Sequence, residues 1–416
     1  MLSVVINRRE CLSLTALTLP GVAASAEVRR QVFLASPGKG TAVMAFAYPL
    51  DREGRRMLSI EQRWSRSDTI DLAFIRTSDD FGQHWSAPRE ERTGERRPEG
   101  MWRKHHRGVW LDPGSGRTLT LWIEGTLPTD DPLEGMRQWR VHYQVPGGRP
   151  EIVVHAGKEY DAAHPLPGVW LGKNSAMLGD QTSAPIRYRK EILIPLSVAP
   201  LGADGKLANP GGGYTYHDTA ILHGRWQGER LEWRMGEVIP GDPLKTSRGL
   251  SEGTIVELDG GRLLCVMRGA NDKHPEWPSY KWFSISSDGG WRWSKPEPWT
   301  DTQGKNFYSP SACSQLLRHS SGRIYWLGNI NETNPRGNRP RYPFFLAEVD
   351  RQSGLLKRET VRMIDNLQPG EDPLLTLSNF LAREDARTRE ICVHMTRLLA
   401  KSDGWEGDAM LYRVAV

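Results

Sequence analysis

The stretch SSDGGWRW, Ser286 to Trp293, decides the fold class of this chain, because its pattern recurs upstream as SDDFGQHW, Ser78 to Trp85. Both copies read Ser-x-Asp-x-Gly-x-x-Trp, a pattern made by Ser78, Asp80, Gly82, Trp85, Ser286, Asp288, Gly290 and Trp293. An Asp two residues before a Gly can accept hydrogen bonds from a turn backbone, and the Gly supplies the positive φ that the turn needs. The Trp that follows can open the return strand and cover one side of the hairpin. We therefore interpret both copies as structural turns of a repeated β-hairpin.

The composition of the 416-residue chain suits many short strands joined by tight turns, with 42 Gly, 28 Pro and 16 Trp. The net charge of +5 comes from charges of both signs spread along the sequence. This mild basic excess suggests an acidic ligand, but it lacks the clustered stripe of a nucleic-acid-binding protein. No apolar run is long enough to span a bilayer. We therefore expect neither a nucleic-acid partner nor a membrane span.

Strand signals dominate the sequence and recur with a regular spacing. Short apolar segments rich in β-branched and aromatic residues alternate with Gly, Pro, Asp and Asn. Trp233 closes one such segment 60 residues before Trp293, and a turn at Asp350 follows Asp288 by 62 residues. A unit of this size fits one four-stranded propeller blade, and the chain after residue 26 holds about six of them. We predict an all-β fold, a six-bladed β-propeller of four-stranded antiparallel blades with Asp-box hairpins.

The first 26 residues are similar to an export signal. Arg8 and Arg9 precede a modest apolar stretch that ends in Ala24-Ser25-Ala26, an A-x-A cleavage pattern. The paired arginines resemble a twin-arginine signal, although Cys11 stands where that signal usually has an aromatic or bulky apolar residue. We expect residues 1–26 to be removed and residues 27–416 to form one propeller domain. The mature protein is expected in the periplasm, at the cell surface or in the medium of a bacterium.

Beyond the two hairpins, three segments resemble the sialidase (neuraminidase) superfamily of propellers with Asp-box, or BNR, repeats. They are Glu61 to Trp85, Ser251 to Gly269 and Asn338 to Asp350. The resemblance implies an exo-α-sialidase-type glycoside hydrolase acting on an acidic sugar, and therefore a glycan partner. It implies Asp68 as the acid/base and Glu252 as the activating carboxylate. The implied substrate-binding residues are Arg63, Arg268 and Arg341, with Arg339 as the alternative to Arg341.

The sequence departs from that family at two positions. Ala47 in Phe46 to Pro49 stands where the family has its first clamp Arg, and Thr376 to Phe380 lacks the Tyr nucleophile. Two alternatives therefore stay open. One is a polysaccharide lyase on a uronate glycan, with a base from Tyr214, Tyr216 or His217 or from the basic stretch Met101 to Gly108. The other is a glycan-binding propeller without catalysis. Because the histidines show no metal-binding spacing, we expect no catalytic metal and no cofactor.

Overall fold

The computed structural model describes residues 27–131, 137–154, 170–171, 176–200, 202, 208–401 and 404–416. The expected export segment, residues 1–26, lies outside the described residues. The described chain forms six small antiparallel sheets arranged as the blades of a propeller, so the prediction of an all-β six-bladed propeller is confirmed. The helical elements in this part of the chain are two 3₁₀ turns, Asp259–Gly261 and Arg358–Thr360. None of its helices is long and apolar enough to cross a membrane.

The strands follow the chain from blade to blade. The first strand is β1 (Val28–Leu34), and blade 1 contains β2 (Ala42–Pro49), β3 (Met57–Trp64), β4 (Leu72–Ser78) and β5 (Arg89–Glu91). Blade 2 contains β6 (Gly94–Arg97), β7 (Gly100–Leu111), β8 (Thr118–Leu127), β9 (Arg137–Gln144), β10 (Glu151–Ile152) and β11 (Trp170–Leu171). Blade 3 contains β12 (Ala176–Leu178), β13 (Ile186–Tyr188), β14 (Glu191–Val198), β15 (Asp218–Gln227) and β16 (Arg230–Met235).

The second half of the chain is more regular. Blade 4 contains β17 (Ser251–Glu257), β18 (Leu263–Arg268), β19 (Lys281–Ser286) and β20 (Glu297–Pro298). Blade 5 contains β21 (Gln315–Arg318), β22 (Ile324–Asn329), β23 (Phe344–Val349) and β24 (Arg362–Asp365). Blade 6 contains β25 (Phe380–Glu384), β26 (Ile391–Thr396) and β27 (Ala409–Val414). Blades 2 and 3 have more than the four predicted strands, because β6 and β11 add to blade 2 and the edge strand of blade 3 is interrupted between β12 and β13.

The ring is closed by the N-terminal strand. Strand β1 pairs antiparallel with β27, with Val28 opposite Val414, and becomes the outer strand of blade 6. Apolar side chains fill the spaces between neighbouring blades; Trp233 of blade 3 packs with Tyr143 of blade 2, for example, and Phe344 of blade 5 with Phe380 of blade 6. Because neighbouring blades cover each other's faces, the short strand edges that remain lie at the outer periphery and along the central axis.

Antiparallel strands make the two ends of the propeller different. In a four-stranded blade the turns after the first and third strands lie at one end. The turn after the second strand and the connection to the next blade lie at the other. Asp80 and Asp288 lie in turns after third strands, in blades 1 and 4. The turn residues in the connections between blades therefore face the opposite end of the molecule from both hairpins.

The two Asp-box turns have the same internal hydrogen bonds. In the first, the Ser78 hydroxyl donates to Asp80 at 2.8 Å, and the backbone N–H of His84 donates to the same carboxylate at 2.9 Å. In the second, Ser286 donates to Asp288 at 2.9 Å, and the Arg292 N–H donates to it at 2.9 Å. Gly82 and Gly290 both have positive φ, 79° and 96°. This is the turn geometry that the sequence pattern predicts.

Candidate active site

Charged and polar side chains from five blades meet at the end of the propeller away from the Asp boxes. We call this group the central cluster, and it consists of Arg107, Asp180, Arg248, Glu252, Arg268, Ser311, Cys313, Arg341 and Asn379. Most of these residues lie where a connection between blades enters a first strand, or where a second strand ends. Since such positions converge on the propeller axis, residues far apart in sequence become neighbours.

Glu252 is placed by a distortion at the start of β17. The pairing of β17 with β18 shifts register between Ser251 and Thr254, and Glu252 has a left-handed backbone with φ 48°. A bulge re-aims a side chain, and a non-glycine residue with positive φ is uncommon and is often found at functional sites. The backbone N–H of Glu252 donates to Ser197 Oγ at 3.0 Å, which fixes this conformation.

The Glu252 carboxylate is held as an anion. Arg268 Nη1 donates to Glu252 Oε2 at 2.7 Å, and the Cys313 thiol donates to the same oxygen at 3.2 Å. Burial alone would raise the pKa of Glu252, but the charge and hydrogen bond of Arg268 outweigh it and lower that pKa to about 2. No hydrogen bond from the described residues reaches Glu252 Oε1.

Asp180 lies in the interruption between β12 and β13. Its neighbour Gly179 is required by the close packing there, since a Cβ on Gly179 would lie 2.2 Å from Ser183 Oγ and 3.5 Å from Glu252 Cα. Asn379 Nδ2 donates to Asp180 Oδ2 at 2.8 Å, and Arg107 Nη1 approaches Oδ1 at 3.4 Å. Burial raises the pKa of Asp180 and the negative charge of Glu252 adds to this effect, while Arg107 opposes both.

Asp180 and Glu252 form a close carboxyl pair around Cys313. One oxygen of each carboxyl and the thiol sulfur all lie within 4.8 Å of one another. Three such donors could coordinate a cation, but Arg107 and Arg268 already supply positive charge to the carboxylates. The arrangement therefore fits a pair of titrating acids better than a metal centre. Burial raises the pKa of the Cys313 thiol well above its usual value, so the thiol is a neutral hydrogen-bond donor.

Ser311 orients two of the guanidinium groups. Its hydroxyl accepts a hydrogen bond from Arg268 Nε at 2.8 Å, and its carbonyl accepts one from Arg341 Nη2 at 3.3 Å. The buried ammonium of Lys281 donates to the carbonyls of Pro310 and Ala312, on either side of Ser311. The segment that carries Ser311 is thus held by a buried amino group that does not reach the site itself.

The structure brings together four of the five predicted catalytic and binding residues. Glu252, Arg268 and Arg341 belong to the central cluster, and Asp68 lies at its rim. Asp68 is exposed, has φ 55°, and acts through its charge on the pKa of Asp180. Arg63 lies apart: its Nε donates to Glu61 at 2.7 Å and its guanidinium covers Phe74.

The structure shows where the two positions that depart from the sialidase pattern, Ala47 and the segment Thr376 to Phe380, lie relative to the central cluster. Ala47 is buried in β2, and its carbonyl accepts a hydrogen bond from Arg383 Nε at 2.9 Å. Asn379, in the segment matched to the missing Tyr, does reach the centre through Asp180. The position is therefore part of the site, but it presents an amide instead of a phenol. The alternative Arg339 forms a backbone bridge with Arg336.

Sequence reasoning missed Arg107, Asp180, Arg248 and Cys313. Arg107 belongs to the basic stretch Met101 to Gly108, all of which lies within strand β7. Its neighbours His105 and His106 are buried, and His106 hydrogen-bonds Glu91. Arg248 lies four residues before Glu252, so its proximity to a predicted site residue was an available signal. Asp180 gave no signal, because nothing local marks the strand interruption.

Comparison with known proteins shows the fold and not the family. The sequence matches no protein-family model and no curated protein. Among solved structures, the Hadza microbial sialidase Hz136 matches at TM-score 0.57 and 11% identity, covering 91% of this chain and 66% of its own. An α-L-arabinofuranosidase from Fusarium graminearum matches at 0.52 and 13%, covering 93% and 98%. Another sialidase matches at 0.50 and 13%, but this chain spans only 33% of it.

These likenesses confirm, at the level of fold, the resemblance seen in the sequence. The chain has the six-bladed β-propeller architecture of sialidases, and it shares that architecture with the arabinofuranosidase. One scaffold hosts several activities, so the choice among them depends on the site.

Proposed function

We propose that the protein is an exported glycoside hydrolase that cleaves the glycosidic bond of an acidic sugar. The observation that best supports this proposal is the pair Asp180 and Glu252, two neighbouring carboxyl groups whose surroundings drive their pKa values apart. Such a pair supplies a proton donor and an anion at the same pH, which is the requirement for glycosidic bond cleavage. The sialidase and arabinofuranosidase neighbours make the same reaction class reasonable for this fold.

The carboxyl pair can carry out both steps of a retaining hydrolysis. Glu252 attacks the anomeric carbon, the bond to the leaving oxygen breaks, and Asp180 gives its proton to that oxygen. A water molecule then attacks the glycosyl ester, Asp180 takes a proton from it, and Glu252 leaves as the free carboxylate. Retaining enzymes place their carboxyl groups about 5 Å apart, which agrees with the close approach of Asp180 to Glu252.

The charges around the pair favour an anionic substrate. Arg107 and Arg268 are paired with Asp180 and Glu252. Arg248 and Arg341, by contrast, form no salt bridge with any described residue. A planar guanidinium binds a carboxylate through two parallel hydrogen bonds, so unpaired arginines beside the reacting groups fit an acidic sugar. In this proposal Asp68, which the sialidase resemblance assigns as acid/base, tunes Asp180 from the rim.

An activity screen of the purified protein tests the proposal. The panel contains an aryl sialoside, aryl hexuronides, neutral aryl glycosides and several uronate polysaccharides. Glu252→Gln and Arg268→Ala are measured beside the wild type. Glu257→Gln, at the other end of β17, is the matched control. We expect release of a reducing sugar by the wild type and the control, and loss of activity in the other two variants.

Other products would change the assignment. If the product is unsaturated, absorbs in the UV and forms without uptake of water, the protein is a polysaccharide lyase, the first alternative given by the sequence, and not a hydrolase. Glycan binding that depends on Arg268, without turnover of any substrate, would favour the non-catalytic propeller. Either result would contradict the proposed hydrolysis.

A further inference from the structure

We propose that Arg248 and Arg341 form a carboxylate-binding site, in which Arg248 supplies the guanidinium that blade 1 lacks at Ala47. The inference rests on the proposed function and adds the residue that selects the substrate. It also moves the substrate's carboxylate away from blade 1 to the blade 4 and blade 5 side of the axis. The ligand class that this displacement favours is a hexuronic acid, whose carboxylate is attached to C5 and not to the anomeric carbon.

The glycine-rich stretch Gly211 to His217 is built around Arg248. The N–H of Gly213 donates to Ser247 O at 3.0 Å, and the N–H of His217 donates to Arg248 O at 3.1 Å. A Cβ on Gly213 would lie 2.5 Å from both Arg248 Cγ and Ser247 O, so only glycine allows the two segments to pack. This stretch, which the catalytic cluster does not otherwise use, thus forms a cradle for one arginine side chain.

The cradle also orients the guanidinium. Arg248 Nη2 donates to Thr215 Oγ1 at 3.1 Å, and the guanidinium carbon lies 5.5 Å from the centre of the Tyr214 ring. Tyr214 is 37% exposed, so part of its ring is accessible to solvent. A half-exposed ring beside a fixed guanidinium suits a sugar, which presents an apolar face as well as a carboxylate.

Arg248 and Arg341 have donors left for a ligand. The Nε atoms of both are buried and have no hydrogen-bond partner among the described residues. Burial lowers the pKa of Arg248 to about 10, and the positive charges of Arg268 and Arg341 act in the same direction. Asp272 attracts Arg248 through its charge, but its carboxylate accepts the Ser247 hydroxyl and does not form a salt bridge with Arg248. Two neighbouring cations that form no salt bridge with a described acidic residue are stabilised by a bound anion.

The carboxyl pair Asp180 and Glu252 favours one class of acidic sugar over another as the substrate. In a sialic acid the carboxylate is attached to the anomeric carbon, directly beside the attacking group. A neutral phenol tolerates that arrangement, but the ionised Glu252 would repel it. In a hexuronic acid the carboxylate is attached to C5, on the other side of the ring oxygen from the anomeric carbon, where Arg248 and Arg341 can hold it without contact with Glu252. The exchange of Tyr for Asn379 and the relocation of the first clamp arginine from Ala47 to Arg248 therefore point to the same substrate.

Calorimetric titration separates these possibilities without depending on turnover. The probes are D-glucuronate, D-galacturonate and N-acetylneuraminate, with D-glucose and D-galactose as the neutral counterparts. The variants are Arg248→Ala, Arg248→Lys and Gly213→Ala, whose added methyl group displaces the arginine. Arg234→Ala is the control, since Arg234 is exposed on the outer strand of blade 3 and pairs only with Glu232 among the described residues. Thermal unfolding verifies that each variant is folded.

We expect the wild type and Arg234→Ala to bind a hexuronate more tightly than its neutral counterpart. Loss of Arg248 should weaken hexuronate binding about 10- to 100-fold, the usual effect of removing a charged hydrogen-bond partner. The neutral sugars should be little affected, and Arg248→Lys should restore only part of the affinity because it cannot bind bidentately.

Three results would overturn the inference. In the first, folded Arg248→Ala still binds a hexuronate more tightly than its neutral counterpart. In the second, the wild type binds N-acetylneuraminate more tightly than both hexuronates. In the third, the wild type binds none of the acidic sugars. Failure of the proposed hydrolysis looks different: the wild type would bind a hexuronate through Arg248 but hydrolyse no glycoside.

Discussion

Asp180 and Glu252 share one hydrogen-bonding neighbour, the thiol of Cys313, which lies 3.6 Å from an oxygen of the first and 3.2 Å from an oxygen of the second. The two carboxyl groups nevertheless have opposite surroundings. Arg268 forms a short ion pair with Glu252, whereas Arg107 approaches Asp180 only at 3.4 Å. Two carboxyl groups whose pKa values are shifted in opposite directions thereby lie around one thiol at the propeller axis.

Replacing either carboxyl group should remove activity without unfolding the protein. We expect Asp180→Asn to lower kcat by about 10²- to 10⁴-fold, the range of a lost general acid or base, and Glu252→Gln, which removes the attacking group, to lower it at least as much. The two should differ in their dependence on the leaving group. Asp180→Asn should be rescued by aryl glycosides whose phenolate leaves without protonation, and Glu252→Gln should not. Equal rates for both leaving-group classes in Asp180→Asn would show that Asp180 is not the proton donor.

The role of Asp68 can be separated from that of Asp180 by pH dependence. Burial is the main cause of the raised pKa of Asp180, and the negative charge of Asp68 raises that pKa further. Asp68→Asn should therefore lower it. Since Asp180 must be protonated to act, the alkaline limb of kcat/KM should move to lower pH, with a change in the maximum of less than about tenfold. If Asp68 is itself the acid/base, as the sialidase resemblance implies, the variant should instead lose activity at every pH.

The sequence predicted the fold well because its main signal is local. An Asp-box turn needs only eight consecutive residues, and the hydrogen bonds at Asp80 and Asp288 involve neighbours within four positions. Glu252 and Arg268 were also accessible, because β17 and β18 are joined by a short turn. Asp180, in contrast, meets Cys313 and Asn379 across 133 and 199 residues of chain. Only closure of the ring brings such residues together, and no local pattern encodes it.

The Asp-box turns should contribute to stability and not to activity. Asp288→Ala removes acceptors for the Ser286 hydroxyl and the Arg292 N–H in a partly exposed turn. We expect a loss of about 1–2 kcal/mol in the free energy of unfolding, from two modest hydrogen bonds. Because this turn lies at the opposite end of the propeller from Glu252, kcat/KM at a temperature well below the melting point should be unchanged. A selective loss of activity in a fully folded variant would contradict this division.

Lys281 should make the free energy of unfolding depend on pH, and a variant without a titrating group at this position can show how large its contribution is. Its side chain is buried, and burial, followed by the positive charge of Arg268, lowers its pKa to about 7. The unfolded chain has the ordinary lysine pKa, so it binds more protons than the native state between about pH 7 and 10. The Lys281 contribution to the free energy of unfolding should therefore rise across this window. It should reach its full value only above the unfolded pKa.

Lys281→Met does not titrate and should lack this rise. In denaturant unfolding at pH 7 and pH 9, the wild type should gain roughly 2 kcal/mol relative to Lys281→Met, given a limiting slope of about 1.4 kcal/mol per pH unit. Lys295→Met, at an exposed position in the same blade, should follow the wild type. If the free energy of unfolding changes equally between pH 7 and pH 9 in the wild type and in Lys281→Met, the hydrogen bonds to the Pro310 and Ala312 carbonyls keep the ammonium charged. In that case Lys281 would support Ser311 as a permanent cation, and Lys281→Met should then lower affinity for acidic sugars by releasing Arg268 and Arg341.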